Sequence, residues 1–125
     1  MKTKKLVRVM IVEDQPTFQE LAELVLSLDP QFEIVHIAGT GEEALEVLEE
    51  ANPDLILLDF RLPGIDGLET AKRIKEHHPN ITIGMVTAHT EEVLARMAKE
   101  AQVKEVIPKA SFNLERVQRL VNGTS

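Results

Sequence analysis

A chain of 125 residues has room for one domain, and 43% hydrophobic with 28% charged residues marks it as globular rather than disordered. Cysteine, Trp and Tyr are absent and the aromatics are only Phe18, Phe32, Phe60 and Phe112, which excludes disulfides and thiolate chemistry and argues against base-stacking surfaces. The formal net charge is −7 despite a basic start, so the body should repel phosphate backbones and bind no nucleic acid by itself.

Residues 1–5 read as a basic N-terminal tail, with Lys2, Lys4 and Lys5. They are no secretory signal, because the apolar run that follows is broken by Arg8 and stopped by Glu13-Asp14. That run, Leu6–Val12, is the first predicted strand. Phe18, Leu21, Leu24, Val25 and Leu28 then fall at helical spacing, with Pro16 near the helix start. Phe32–Ala38 is the second strand. Thr40-Gly41-Glu42-Glu43 has capping-box spacing, and Ala44, Leu45, Leu48 and Ala51 form the stripe of a helix that Asn52-Pro53 ends.

Leu55–Asp59 is apolar up to its final Asp, as suits a strand covered on both faces. Pro63-Gly64 and Asp66-Gly67 mark a loop, and a helix through Leu68, Ala71 and Ile74 ends near His78-Pro79. Ile81–Thr87 is the fourth strand. Leu94, Met97, Ala98 and Ala101 stripe the next helix, Glu105–Pro108 is a short fifth strand, and Leu114, Val117, Leu120 and Val121 give a closing helix. The pattern is (βα)₅ over residues 6–122, with 123–125 as a C-terminal tail. It predicts an α/β domain, a parallel sheet between two helical layers. No stretch approaches the ~20 apolar residues of a membrane span, so the expectation is a cytoplasmic protein with no membrane partner.

In open parallel sheets, ligands bind beyond the carboxyl ends of the strands. Strand one ends in Glu13-Asp14, strand three in Asp59, strand four in Thr87 and strand five in Lys109. If strands one and three are neighbours, three carboxylates meet at one rim. Their mutual repulsion calls for a cation or a raised pKa, and Mg²⁺ suits such oxygen ligands while keeping positions open for phosphate. An Asp there can be a nucleophile toward phosphorus, with Lys and Thr contacting the phosphoryl oxygens. Taken singly, Glu13-Asp14 is more often a helix-initiating acidic pair, Asp59 a turn residue, Thr87 an N-cap and Lys109 a solvated lysine. Four such positions closing different strands on one rim outweigh those readings.

Val9-Met10-Ile11-Val12-Glu13-Asp14, Pro53-Asp54-Leu55-Ile56-Leu57-Leu58-Asp59, Leu62-Pro63-Gly64-Ile65-Asp66-Gly67, Thr87-Ala88 and Lys109 carry a resemblance. Over about residues 6–121 the chain resembles a CheY-like response-regulator receiver domain of two-component signalling. Glu13-Asp14-Gln15-Pro16, Ala88-His89 and Lys109-Ala110-Ser111 are similar to the NarL/LuxR-type subclass, often joined to a helix-turn-helix output domain. The resemblance implies a flavodoxin-like, doubly wound sheet of strand order 2-1-3-4-5. It implies that Asp59 accepts a phosphoryl group from a sensor histidine kinase or phosphotransfer protein. Glu13, Asp14, Asp59 and the backbone carbonyl of Arg61 would hold Mg²⁺, Thr87 and Lys109 would contact the phosphoryl group, and Ala88 would be the small residue beside the site. An output domain or self-dimerisation would follow phosphorylation.

Two positions depart from that pattern. Val106 stands where a switch aromatic is usual, and Ala110 follows the lysine where proline, commonly after a cis bond, is frequent. A cis bond before Ala costs ~3 kcal/mol, so a trans bond is expected. With no ring to swing at Val106, the response is expected in the segment after Thr87 and the next helix. His89, two residues after Thr87, either tunes water access to the phosphate or is simply exposed. His36 reads as structural or solvated, and His77-His78 as complements of a helix C-terminus. The rivals are a receiver-like interaction module that is not phosphorylated, a flavin binder, and an Asp-nucleophile phosphohydrolase. The last wants a second Asp where Arg61 stands.

Overall fold

The computed structural model describes residues 6–88 and 92–122. In chain order the elements are β1 (Val7–Val12), α1 (Pro16–Ser27), β2 (Phe32–Ala38), α2 (Gly41–Ala51), β3 (Leu55–Asp59) and α3 (Gly67–His77). There follow β4 (Thr82–Thr87), α4 (Glu92–Glu100), β5 (Glu105–Pro108), a 3₁₀ turn (Lys109–Ser111) and α5 (Leu114–Asn122). All strand pairs are parallel and the order is β2-β1-β3-β4-β5. This is the flavodoxin-like arrangement, with the order reversing at β1 and β3, so the ends of those two strands face a natural crevice.

Alternation along the strands divides the core. Met10, Val12, Ile56, Leu58, Ile83 and Met85 face α2, α3 and α4, burying Ala44, Leu48, Leu68, Ala71, Ile74, Leu94 and Ala98. Val9, Ile11, Leu55, Leu57 and Val86 face α1 and α5, burying Phe18, Ala22, Leu26, Val117 and Leu120. Every residue of β3 is buried, as its unbroken apolar run requires.

Helix ends follow local chemistry. Pro16 opens α1, where its missing N–H costs nothing. Thr40 caps α2 by accepting from the Glu43 N–H at 3.0 Å. The Glu43 side chain does not close the box on Thr40. It reaches one residue further, accepting from Gly39 N–H at 3.1 Å and pairing with His36 on the edge strand at 2.9 Å. Asn52 ends α2 in the left-handed region, at φ 48°.

The apolar stripes differ from expectation in two helices. Phe18 is buried and Val25 partly buried as expected, but Leu21, Leu24 and Leu28 are 41%, 64% and 66% exposed, and Ala22 and Leu26 face the sheet in their place. Both sets have helical spacing. Packing selects the one whose small Ala22 lets the helix approach the strands closely. Met97 is likewise 45% exposed, while Ala101 is buried beyond the end of α4. β1 and β4 each begin one residue later than expected, at Val7 and Thr82. No helix among the described residues is long and apolar enough to cross a membrane.

Candidate functional site

Strand register brings the acidic groups together. Val12 pairs with Leu58, so Glu13 follows beside Asp59 at the rim. Val86 pairs with Asp59, and Thr87 with Pro108, which delivers Lys109 to the same rim. Glu13, Asp59 and Lys109 continue the alternation of Ile11, Leu57 and Ile107, and so share the α1–α5 side of the sheet. Thr87 continues Met85 and lies on the other side.

Carboxylate oxygens of Glu13, Asp14 and Asp59 all lie within 4.8 Å of one another. Glu13 and Asp59 are buried at 2% and 6% exposure, whereas Asp14 is open to solvent. Lys109 Nζ sits 3.0 Å from Glu13 Oε1 and 3.4 Å from Asp59 Oδ2. Backbone N–H groups complete the anchoring: Gln15 donates to Glu13 at 3.0 Å and Arg61 to Asp59 at 3.3 Å. Burial pushes the Glu13 carboxyl up, with the neighbouring Asp59 charge adding to the rise, against the lowering effect of Lys109 and Gln15. Burial would lower the Lys109 ammonium, but its bonds to Glu13 and Asp59 and their charges outweigh this and hold it above the usual lysine value.

These groups edge a cleft of about 640 Å³ whose wall includes Asp14, Asp59, Arg61, Asp66, Ala88 and Lys109. A wider groove of about 970 Å³ opens at the amino ends of the strands, away from the carboxylates. Its buried Asp29 is held by Gln31 and Gln118. An all-oxygen set with one solvent-facing carboxylate has the chemistry of a Mg²⁺ site, and Arg61 lines the same wall.

Of the remaining expected residues, Thr87 is wholly buried beneath the rim, and Ala88 rather than Thr87 lines the cleft. Val106 pairs with Met85 on the α4 side of β5 and is half-buried. No cis peptide occurs among the described residues, so the Lys109–Ala110 bond is trans as expected. His89 lies outside the described residues. His78 caps α3 and stands 3.5 Å from Glu49.

Two features went unread in the sequence, and a third was read only as a loop glycine beside Asp59. Phe18 offers its ring face to Lys109 Nζ, 4.8 Å from the centroid, though it looked only like a core residue. Glu42 accepts from Ile65 N–H at 3.0 Å and so grips the β3–α3 loop, which Gly64 lets turn at φ 79°. Gly67 is pressed against the backbone of Asp59 and Phe60. A long-range contact leaves no local pattern. Asp66, read only as a loop residue, is the N-cap of α3, with Glu69 N–H donating to it at 2.9 Å.

The family model for the response regulator receiver domain matches residues 9–122. The chain is a response regulator receiver domain. It is 40% identical over 109 residues to protein-glutamate methylesterase/protein-glutamine glutaminase 1 of Syntrophus aciditrophicus, covering 86% of this chain and 31% of that protein. It is 32% identical over 95 residues to the nitrate/nitrite response regulator NarL of Escherichia coli, covering 74% and 44%. The chain thus spans less than half the length of these curated relatives. Among solved structures, the NarL receiver domain of Mycobacterium tuberculosis superposes with TM-score 0.88 at 28% identity, covering 96% of this chain and 99% of that one. A LuxR-family regulator from Aurantimonas gives 0.86 at 28% identity, covering 93% and 83%. The receiver unit belongs to two-component signalling, and its relatives include NarL/LuxR-type transcription regulators.

Proposed function

We propose that this receiver domain, residues 6–122, is a phosphorylation switch with Asp59 as the acceptor. The carrying observation is a buried carboxylate at the end of the central strand, within 4.8 Å of two others and 3.4 Å from an ammonium. An Asp59 oxygen attacks the phosphorus of a kinase or phosphotransfer phosphohistidine. The O–P bond forms as the N–P bond breaks, and the imidazole leaves with a proton. Glu13, Asp14, Asp59 and the Arg61 carbonyl would hold Mg²⁺, which when bound supplies positive charge against the phosphoryl oxygens.

Lys109 is placed to exchange its bond to Asp59 for one to the phosphoryl group, which carries close to two negative charges at neutral pH. Thr87 must rise from beneath the rim to reach the same oxygens, and Ala88 leaves it room. That differential contact, present in one state only, biases the domain's surface. The domain acts as a cytoplasmic switch rather than a turnover enzyme, and it addresses an output domain or a second copy. Its acidic body leaves nucleic acid to another segment.

The test is incubation with Mg²⁺ and acetyl phosphate followed by intact mass measurement. One added phosphoryl group is expected, and none in Asp59→Asn. Stoichiometric labelling of the Asn variant would remove Asp59 as the acceptor.

A further inference from the structure

We infer that Phe18 of α1 is a positioning residue for Lys109, its ring face holding the ammonium over the acceptor carboxylate; the inference rests on the phosphoacceptor reading of Asp59. Phe18 is 9% exposed, and Lys109 Nζ lies 4.8 Å from its ring centroid. An ammonium has three donors in fixed relation. Asp59 Oδ2 accepts from it at 3.4 Å, Glu13 Oε1 pairs with its charge at 3.0 Å, and the negative face of the ring occupies another side. The lysine side chain is only 20% exposed, so the ring also keeps water from that flank.

The choice of a neutral partner matters. A fourth anion would compete with the incoming phosphoryl group for Lys109, whereas a ring attracts the cation equally before and after transfer. The ring is itself fixed: Phe112, just after the 3₁₀ turn that carries Lys109, meets Phe18 edge-on with centroids 5.1 Å apart. Both ends of the segment 109–112 are therefore tied to one side chain of α1. A shift of Lys109 toward a phosphoryl group pulls on Phe18 directly, a route to α1 that needs no aromatic at Val106.

The decisive experiment is a double-mutant cycle on the labelling rate with Mg²⁺ and acetyl phosphate, using Phe18→Leu and Lys109→Met. Phe18→Leu should slow labelling about three- to tenfold in the parent. In the Lys109→Met background, where slow residual labelling is expected, the same change should have no effect. An equal slowing in both backgrounds would overturn the inference, because Phe18 would then act through general packing. If Phe18→Leu does not fold, Phe18→Met retains volume without a ring and enters the same cycle.

A second measurement is independent of phosphorylation. In the NMR spectrum the Lys109 ε-CH₂ protons should be displaced upfield by the ring and return toward ordinary lysine values in the Phe18 variant. Ordinary shifts in the parent would also overturn the inference. Parent protein that takes no phosphoryl group, yet shows the displaced protons, would sink the acceptor reading and leave the Phe18–Lys109 contact standing.

Discussion

Gly67 opens α3 directly against the end of β3, and Gly67→Ala measures how tightly that junction is built. A Cβ placed there would meet Phe60 Cα at 2.8 Å and the Asp59 carbonyl carbon at 3.0 Å, with the Asp59 carbonyl oxygen nearer still. Ordinary contact begins at 3.4 Å, so the helix start or the end of β3 must retreat by at least half an ångström. Both obstacles are backbone, and neither can rotate away. The retreat also strains the Gly67 N–H bond to the Phe60 carbonyl, now 2.8 Å. Overpacking of this kind costs about 1–3 kcal/mol, and loosening one buried hydrogen bond about 1 kcal/mol more. The sum, about 2–4 kcal/mol, is a large share of a small domain's stability but leaves it folded. With a urea m-value of about 2 kcal/mol/M, the midpoint should fall by about 1–2 M. Far-UV circular dichroism is the probe, since the chain has neither Trp nor Tyr. Gly39→Ala is the matched control, because its Cβ would meet nothing within 4 Å. A Gly67→Ala midpoint within about 0.3 M of the parent, or an equal fall in Gly39→Ala, would refute the steric argument.

Asp14→Ala should weaken Mg²⁺ binding on the order of tenfold or more in a calorimetric titration, since it removes both the proposed solvent-facing ligand and part of the attracting potential. Unchanged affinity would place the metal elsewhere. At the far end of the sheet, the bond from His36, helped by Gly39 N–H, holds the Glu43 carboxyl below its ordinary value of 4.5. A depressed carboxylate contributes stability that is complete above the ordinary value and is lost as pH falls through the folded one. His36→Gln should therefore destabilise the domain above about pH 5 and converge with the parent near pH 3. The side chains are 32% and 42% exposed, so solvent screening limits the gap to about 0.5 kcal/mol or less. Urea midpoints at the two pH values check the sign, and a gap that widens in acid would reverse it.

What could be read from the residues alone is what short-range physics dictates. An unbroken apolar run ending in Asp59 suits a strand covered on both faces, and the last residue of such a strand stands at the rim. Glu13-Asp14 and Lys109 follow other strands in the same way, so the composition of the rim was legible once the strands were neighbours. Thr40 and Pro16 announce helix starts because caps act within one turn.

Tertiary structure decided the rest wherever two local solutions were equally good or the partner lay far along the chain. On α1 two stripes had helical spacing, and the packing of Phe18, Ala22 and Leu26 into the core leaves Leu21, Leu24 and Leu28 facing outward. Thr87 closes β4 as read, but the alternation of the strand, which sets it on the Met85 side and buries it completely, is decided by packing. Phe18 reaches Lys109 across more than ninety positions, and Glu42 reaches Ile65 across 23. Such contacts depend on strand order and helix rotation together. Those are set by packing the whole core, and no window of sequence contains them.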